Sequence, residues 1–233
     1  MKIYCLSDIH GCISEFDYAL SLIETHLIEN NTKLILLGDY IHGGPDSYGV
    51  LDKIIELQRK YGVDKCMALM GNHEDMACCG RWPIAADRFS HSEDNIDEAK
   101  EDRYVQWMMT LPRYYFFYES NIIFVHAGVE EEAGDMWEWA TDDFTFTEKY
   151  PAQTGKFYDN YKIVAGHIGT EVISEDPRFH DIYYDGESHY YIDGTVLESG
   201  VIPILMVDTE TDKYYRVTEN GNFIILPYDE EDW

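Results

Sequence analysis

Three short apolar runs, each breaking off into a polar cluster, constrain this chain more than any other feature. Residues 3–7 (IYCLS) run into Asp8-Ile9-His10-Gly11, residues 34–37 (LILL) into Gly38-Asp39, and residues 66–70 (CMALM) into Gly71-Asn72-His73-Glu74. Unbroken apolar runs of this length read as strands buried on both faces. After the first, Phe16, Ala19, Leu20, Ile23 and Leu27 recur at three-and-four spacing, as on a helix with one apolar face. Val50, Leu51, Ile54, Ile55 and Leu57 mark a second helix, stopped at Gly62. A β-α-β-α-β order predicts parallel strands joined by crossovers, with any site beyond the carboxyl ends of the strands. All three strands deliver polar side chains to that end.

Residues 75–113 differ. They are polar, are broken by Pro83, and read as an excursion followed by a helix ending near Leu111-Pro112. Residues 114–128 read as two strands around a Glu119-Ser120-Asn121 turn, the second entering His126-Ala127-Gly128. IVAGH (163–167) is a further strand that ends in a histidine. From Ile182 to Leu226 the chain is rich in Tyr, Ile and Val, with turn signals at Asp185-Gly186 and Asn220-Gly221, and is expected to form an antiparallel meander. There is no internal repeat or linker, so residues 1–233 are read as one domain with a loose acidic tail near 228–233.

The charge balance narrows the partners. Forty-five acidic residues against 17 Lys and Arg leave a net charge of −28, which repels a polyanionic backbone and argues against general nucleic-acid binding. The start of the chain turns polar too soon for a signal-peptide core. No run approaches the roughly 18 apolar residues of a membrane helix. Five cysteines, none in a CxxC pair, read as reduced thiols, so a cytoplasmic setting is expected.

The strand-end groups are Asp8, His10, Asp39, Asn72, His73, His126 and His167. Carboxylates, imidazoles and an amide oxygen suit Mn²⁺, Fe²⁺ or Zn²⁺ better than thiolate-loving ions. In Asp8-Ile9-His10 the two polar side chains share one side of an extended strand, because side chains there alternate. The groups outnumber the needs of one ion and suit a pair sharing a carboxylate.

SDIHG (7–11), GDYIHGGPDS (38–47), GNHE (71–74), VHAG (125–128) and GH (166–167) resemble, in order, the motifs of the calcineurin-like metallophosphoesterases. Within them the likeness is to the phosphoprotein phosphatase branch, with its bacterial serine/threonine protein phosphatases and diadenosine tetraphosphatases. The resemblance runs from residue 3 to about 208. It implies an α/β fold of two β-sheets packed as a sandwich and flanked by helices. It also implies two divalent ions, Mn²⁺ first and Fe or Zn²⁺ as alternatives. By position, Asp8 and His10 would hold the first ion, Asp39 would bridge, and Asn72, His126 and His167 would hold the second. A hydroxide held between the ions would attack phosphorus, and His73 would protonate the leaving group.

Two departures stand out. Related phosphatases carry GDxVDRG where this chain has GDYIHGG, so His42 replaces the Asp that orients the acid histidine, and Gly43 replaces a phosphate-gripping Arg. A second such Arg would align with Thr141, in Trp139-Ala140-Thr141-Asp142-Asp143-Phe144. His42 is therefore a candidate catalytic residue, and Gly43 and Thr141 are candidate substrate-binding positions. Restoring Asp at 42 and Arg at 43 is expected to raise phosphomonoesterase activity. Arg81, Arg88 and Arg113 are other arginines that could reach the site, each otherwise a surface charge. His26 and His91 read as surface residues, whereas His180 and His189 are further candidates to line the cleft. Tyr4, Trp137 and Trp139 read as core, with Trp137 or Trp139 also able to stack on a base. The leading expectation is a dimetal phosphomonoesterase of the protein-phosphatase type, acting on a phosphorylated protein or small molecule; the alternatives are a hydrolase of dinucleoside polyphosphates or diesters and, second, a non-catalytic metal-dependent binding module.

Overall fold

In the first sheet, β1 (Lys2–Leu6) pairs in parallel with β2 (Thr32–Leu36), and β2 in parallel with β3 (Cys66–Ala68), in a computed structural model that describes residues 1–84 and 98–229. The register sets Leu6 opposite Leu36 and Leu36 opposite Ala68, so the three strands end level and release their polar clusters side by side. In the second sheet, β4 (Tyr114–Phe117) and β5 (Ile122–Val125) form an antiparallel hairpin, and β5 runs parallel to β6 (Lys162–Ala165). His126 and His167 leave β5 and β6 at a common edge.

Strand alternation builds the layers. Ile3 and Cys5 of β1, Ile35 of β2, Phe124 of β5 and Val164 of β6 meet in the core between the sheets. Tyr4 and Leu6 face the other way, against Phe16, Leu20 and Ile23 of helix α1 (Ile13–Ile23) and Val50, Leu51 and Ile54 of α2 (Ser47–Tyr61). Ile123, Val125 and Ile163 cover the outer face of the second sheet with Trp137 and Phe146. The result is two sheets flanked by helices, as the resemblance implied. Helix α2 begins where the Asp46 carboxylate accepts the Gly49 N–H at 2.7 Å, and ends at Gly62, whose φ of +90° disfavours any side chain.

Some expectations are corrected. Residues 182–226 are divided between the sheets rather than forming one meander. β7 (Tyr183–Tyr184) and β8 (His189–Tyr191) complete the second sheet, with β8 parallel to β6. β9 (Leu205–Asp208), β10 (Lys213–Thr218) and β11 (Gly221–Ile224) extend the first, with β9 antiparallel to β1. Alternation marks a strand but says nothing about its partner. Leu27 lies in a 3₁₀ turn (His26–Ile28) beyond α1. GNHE opens a helix, α3 (Asn72–Cys78), and α4 (Glu98–Met108) ends just before Leu111-Pro112. Trp137 is buried, but Trp139 is 85% exposed: both lie in α5 (Trp137–Ala140), and positions two apart point to different sides of a helix. Arg88, His91 and the last four residues of the acidic tail lie outside the described residues. All five cysteines are free thiols.

His189 does not join the strand-end cluster. Buried in the second sheet, its Nδ1 lies 2.8 Å from Asp185 Oδ2 and its Nε2 3.1 Å from Glu131 Oε2. Lys149 Nζ reaches the other Glu131 oxygen at 3.0 Å and donates to the Val129 carbonyl, pinning the segment that follows His126. Burial disfavours the imidazolium, but the bonds to Asp185 and Glu131 outweigh it and raise its pKa above the ordinary histidine value. Both carboxylates are held below theirs, against burial, by the bond to His189. His189→Ala should destabilise the fold by about 3–5 kcal/mol in urea unfolding, since the buried Asp185 carboxylate loses its counter-charge and Glu131 keeps only Lys149. The imidazolium's contribution is complete below pH ~6.5 and declines as pH rises through its raised folded value. The carboxylates' contribution is present above pH ~4.5 and is lost on further acidification. The gap between the two proteins should therefore be widest between those limits.

Candidate metal centre

The strand-end loops adopt backbone that strands and helices avoid. Asp8 (φ +52°), His10 (+48°), Asp39 (+55°), His42 (+73°) and His167 (+68°) all occupy the left-handed region, which costs a non-glycine residue energy and clusters at functional sites. Contacts between loops hold them there. The Asp8 N–H donates to the Gly38 carbonyl, the His10 N–H to the Asp39 carbonyl at 2.9 Å, and the Gly166 N–H to the His126 carbonyl at 2.8 Å. Gly38 must be glycine, because at φ +118° a Cβ would lie 2.7 Å from the backbone of Gly71.

Two groups of three result, each with ligand-type atoms within 4.8 Å of one another: His10, Asp39 and His73, and Asp39, His126 and His167. Asp39 belongs to both. Its Oδ2 lies 3.4 Å from His126 Nε2, 3.7 Å from His73 Nε2 and 3.9 Å from His10 Nε2. Each of two imidazoles spends its other nitrogen on a backbone carbonyl, His10 Nδ1 on Ile41 at 3.3 Å and His126 Nδ1 on Leu37 at 3.2 Å. Ligating histidines are oriented in this way, with a donor tied outward and a lone pair inward. The Asn72 amide oxygen also points inward, 3.0 Å from His126 Nε2. Turned over, the amide NH₂ would donate to His126, His167 and both Asp39 oxygens, so with oxygen inward this side chain faces lone pairs. Convergent lone pairs from carboxylate, amide and imidazole, little exposed to water, are a fitting cradle for a hard to borderline divalent cation. Asp8 is buried beside these groups but belongs to neither, its Oδ1 3.9 Å from His10 Nε2 and its Oδ2 accepting the His167 N–H at 3.1 Å.

Crowding shifts the proton affinities of the cluster. Burial pushes Asp8 up to about 6, with the charge of Asp39 adding to it and His126 opposing. Burial would lower His126, but Asp39 outweighs it and pushes the imidazole up to about 9. Behind the centre sits Glu74, fully buried, accepting N–H groups from Asp39 and Tyr40 at 2.8 Å and Gly71 at 3.1 Å. It ties the β2 loop to the β3 loop and sets the position of Asp39. In the sequence, Glu74 is only the last residue of GNHE, with no sign of this task. Asp193 was also missed, although it follows the apolar run 190–192 as Asp8 and Asp39 follow theirs. It is buried near Asp8 and His10, its carboxylate accepts the Thr195 N–H, and burial holds its pKa well above the usual carboxylate range.

The departures at 42 and 43 have a local structure. His42 Nδ1 lies 2.9 Å from His73 Nδ1, and His42 Nε2 lies 2.9 Å from the Pro83 carbonyl. That carbonyl can only accept, so Nε2 carries the His42 proton and its Nδ1 accepts from His73 Nδ1–H. Trp82, which the sequence reading passed over, stacks on His42. At Gly43 (φ +100°) a Cβ would fall 2.6 Å from Leu197 Cδ1. Thr141 is occupied elsewhere: its hydroxyl donates to the Trp137 carbonyl at 2.6 Å and accepts the Glu130 N–H at 2.9 Å. Arg113 is held by Asp75 and Asp143 at 3.0 and 2.9 Å, and Arg81 lies exposed on the turn before Trp82. His180 lies 3.9 Å from Glu171 and in neither group of three.

A family model described as calcineurin-like phosphoesterase matches residues 1–203. A symmetrical bis(5'-nucleosyl)-tetraphosphatase from Wigglesworthia glossinidia brevipalpis is 32% identical over 130 residues, covering 55% of this chain and 45% of that protein. The asymmetrical bis(5'-nucleosyl)-tetraphosphatase PrpE of Oceanobacillus iheyensis is 25% identical over 171 residues, covering 67% of each. The chain spans about half the length of the first of these curated relatives. Among solved structures, a cold-active protein-tyrosine phosphatase of a Shewanella species superposes with a TM-score of 0.63 at 15% identity, over 97% of this chain and 80% of that one. No helix among the described residues is long and apolar enough to cross a membrane. With motif order, sheet topology and matched span in agreement, the chain belongs to the calcineurin-like phosphoesterase family, a family that works with divalent metal ions.

Proposed function

We propose that this protein hydrolyses nucleoside polyphosphates, of the dinucleoside tetraphosphate type, at a centre for two divalent ions. The observation that carries the two-ion reading is Asp39, shared by both groups of three. Asp8, His10 and Asp39 would hold one ion, and Asp39, Asn72, His126 and His167 the other, with Mn²⁺ the first choice and Fe or Zn²⁺ as alternatives. When bound, such ions neutralise charge on phosphoryl oxygens and lower the pKa of water.

The chain's own groups do the rest. His73 turns Nε2 toward the Asp39 side of the centre, and in its protonated form it would pass that proton to the leaving oxygen. His42 holds the His73 ring by Nδ1 and is itself held by the Pro83 carbonyl. It thus replaces a carboxylate as orienting group without adding a negative charge. Glu74 acts through Asp39, whose N–H it accepts, while Asp39 Oδ1 accepts the His73 N–H at 3.0 Å.

The polyphosphate reading rests on the missing clamp and on the names of the relatives. A phosphomonoester dianion concentrates charge on one phosphoryl group, where a bidentate guanidinium is most useful. Here the space beside position 43 holds Leu197, and Thr141 is committed to its own turn. A polyphosphate can instead be held by groups away from the reacting phosphorus. The curated relatives are named as bis(5'-nucleosyl)-tetraphosphatases. We also read residues 1–233 as one domain, and place it in the cytoplasm on its free thiols.

Mn²⁺-dependent hydrolysis of diadenosine tetraphosphate, a phosphodiester and a phosphomonoester should favour the first, with Asp39→Asn as control for contaminating phosphatase. Preference for the monoester would return the reading to a protein-phosphatase type, and silence on all three to a binding module. His42→Ala should lower kcat about 10- to 100-fold with little change in KM, since a displaced acid impairs the reaction more than binding. His42→Asn, which keeps an acceptor near Nδ1, should recover part of the loss. Gly43→Arg with His42→Asp is not expected to raise phosphomonoesterase activity, because the arginine starts from a strained φ against Leu197; a gain would show that Leu197 gives way. Glu74→Ala should weaken Mn²⁺ binding in calorimetry by roughly 10- to 100-fold, the usual cost of losing an orienting partner. Unchanged affinity would free Asp39 from dependence on Glu74.

A further inference from the structure

Trp82 is the aromatic side chain that the mechanism above leaves without a task. Its indole lies 4.5 Å from the His42 ring at 27° and 5.3 Å from the His73 ring at 31°. The two imidazoles are 5.0 Å apart, too close to hold an indole between them, so both lie on the same side of it. Yet 40% of Trp82 is exposed, a large apolar surface left open beside the candidate acid. Trp82 also lines a recess of about 410 Å³ with Ala77, Pro83, Ile84 and Val105, bordered by the carboxylates of Glu101 and Asp102. Those carboxylates repel a phosphate but can accept from the amino group of a base.

We propose that Trp82 is a specificity-determining residue that stacks a nucleobase of the substrate next to the metal centre. The inference rests on the nucleotide reading of the function and names the subsite that reading needs. A chain of net charge −28 repels a polyphosphate over most of its surface, and the described residues provide no arginine fork at positions 43 or 141. A neutral contact with the base avoids both difficulties, because every base presents a π-face to an aromatic ring. Trp82 contacts His73 directly, and His73 Nε2 lies 3.7 Å from Asp39. A base on the free face of Trp82 is thus separated from the centre by one indole and one imidazole, a span for the ribose and phosphate chain of a nucleotide to cross.

The test compares diadenosine tetraphosphate with inorganic tripolyphosphate, which has no base, as Mn²⁺-dependent substrates of the unaltered protein, Trp82→Ala and Trp82→Phe. It is paired with calorimetric titration of AMP in the presence of Mn²⁺. Trp82→Ala should raise KM for diadenosine tetraphosphate relative to that for tripolyphosphate by on the order of 10- to 100-fold, the loss that removing one base–aromatic stack carries. AMP affinity should fall in parallel, and Trp82→Phe should recover most of both. Equal losses on the two substrates would overturn the proposal and make Trp82 a support for His42. Unchanged AMP affinity in Trp82→Ala would overturn it as well. If the unaltered protein turns over neither substrate, the hydrolase reading fails, and the AMP titration alone decides for or against the stack.

Discussion

The crowding of lone pairs around Asp39 is the interaction on which the rest of this structure depends. One carboxylate faces three imidazole nitrogens within 3.9 Å and an inward amide oxygen, in surroundings that exclude most water. Such a cluster is costly unless a cation or protons occupy it. The fold meets that cost by fixing every participant from behind. Glu74 takes the N–H groups of Asp39, Tyr40 and Gly71, the carbonyls of Leu37 and Ile41 take the outward nitrogens of His126 and His10, and Asp8 takes the His167 N–H. The centre is preorganised by contacts that cross between strand ends, among them the bonds from the His167 and His73 N–H groups to the carboxylates of Asp8 and Asp39.

The layered architecture explains why these contacts can form. β1, β2 and β3 end level because their parallel register is unshifted, and β5 and β6 do the same in the opposing sheet. The sheets pack through Ile3, Cys5, Ile35, Phe124 and Val164, which brings the two sets of strand ends to one rim. The strained φ values at Asp8, His10, Asp39, His42 and His167 belong to that rim, where each side chain must turn sharply inward as its strand stops.

At position 42 an imidazole, which carries no negative charge, holds the His73 ring. The Pro83 carbonyl fixes the tautomer that lets His42 accept from His73, so the hydrogen bond survives without the carboxylate. Leu197 occupies the space beside Gly43, and the chain is strongly anionic throughout. Beside these two positions the partly exposed indole of Trp82 adds a neutral, apolar surface next to His42 and His73.

Much of this centre was legible in the sequence. An apolar run of strand length that ends in Asp or His leaves a one-dimensional mark, because hydrophobic burial fixes the strand and its carboxyl end faces the crevice. Asp8, His10, Asp39, His126 and His167 stand out in this way, and the structure gathers all but Asp8 into its two groups of three; the parallel core strands and both early helices were legible too. The split of residues 182–226 between two sheets was not legible, since strand pairing depends on the surfaces left open elsewhere in the fold. Nor were the jobs of Glu74, Leu197, Pro83 and Trp82. Glu74 matters for the three N–H groups that surround it, and Leu197 meets Gly43 from 154 residues away. Alternation and spacing record which residues are buried and on which face, whereas which of them meet is decided by packing, and that exists only in three dimensions.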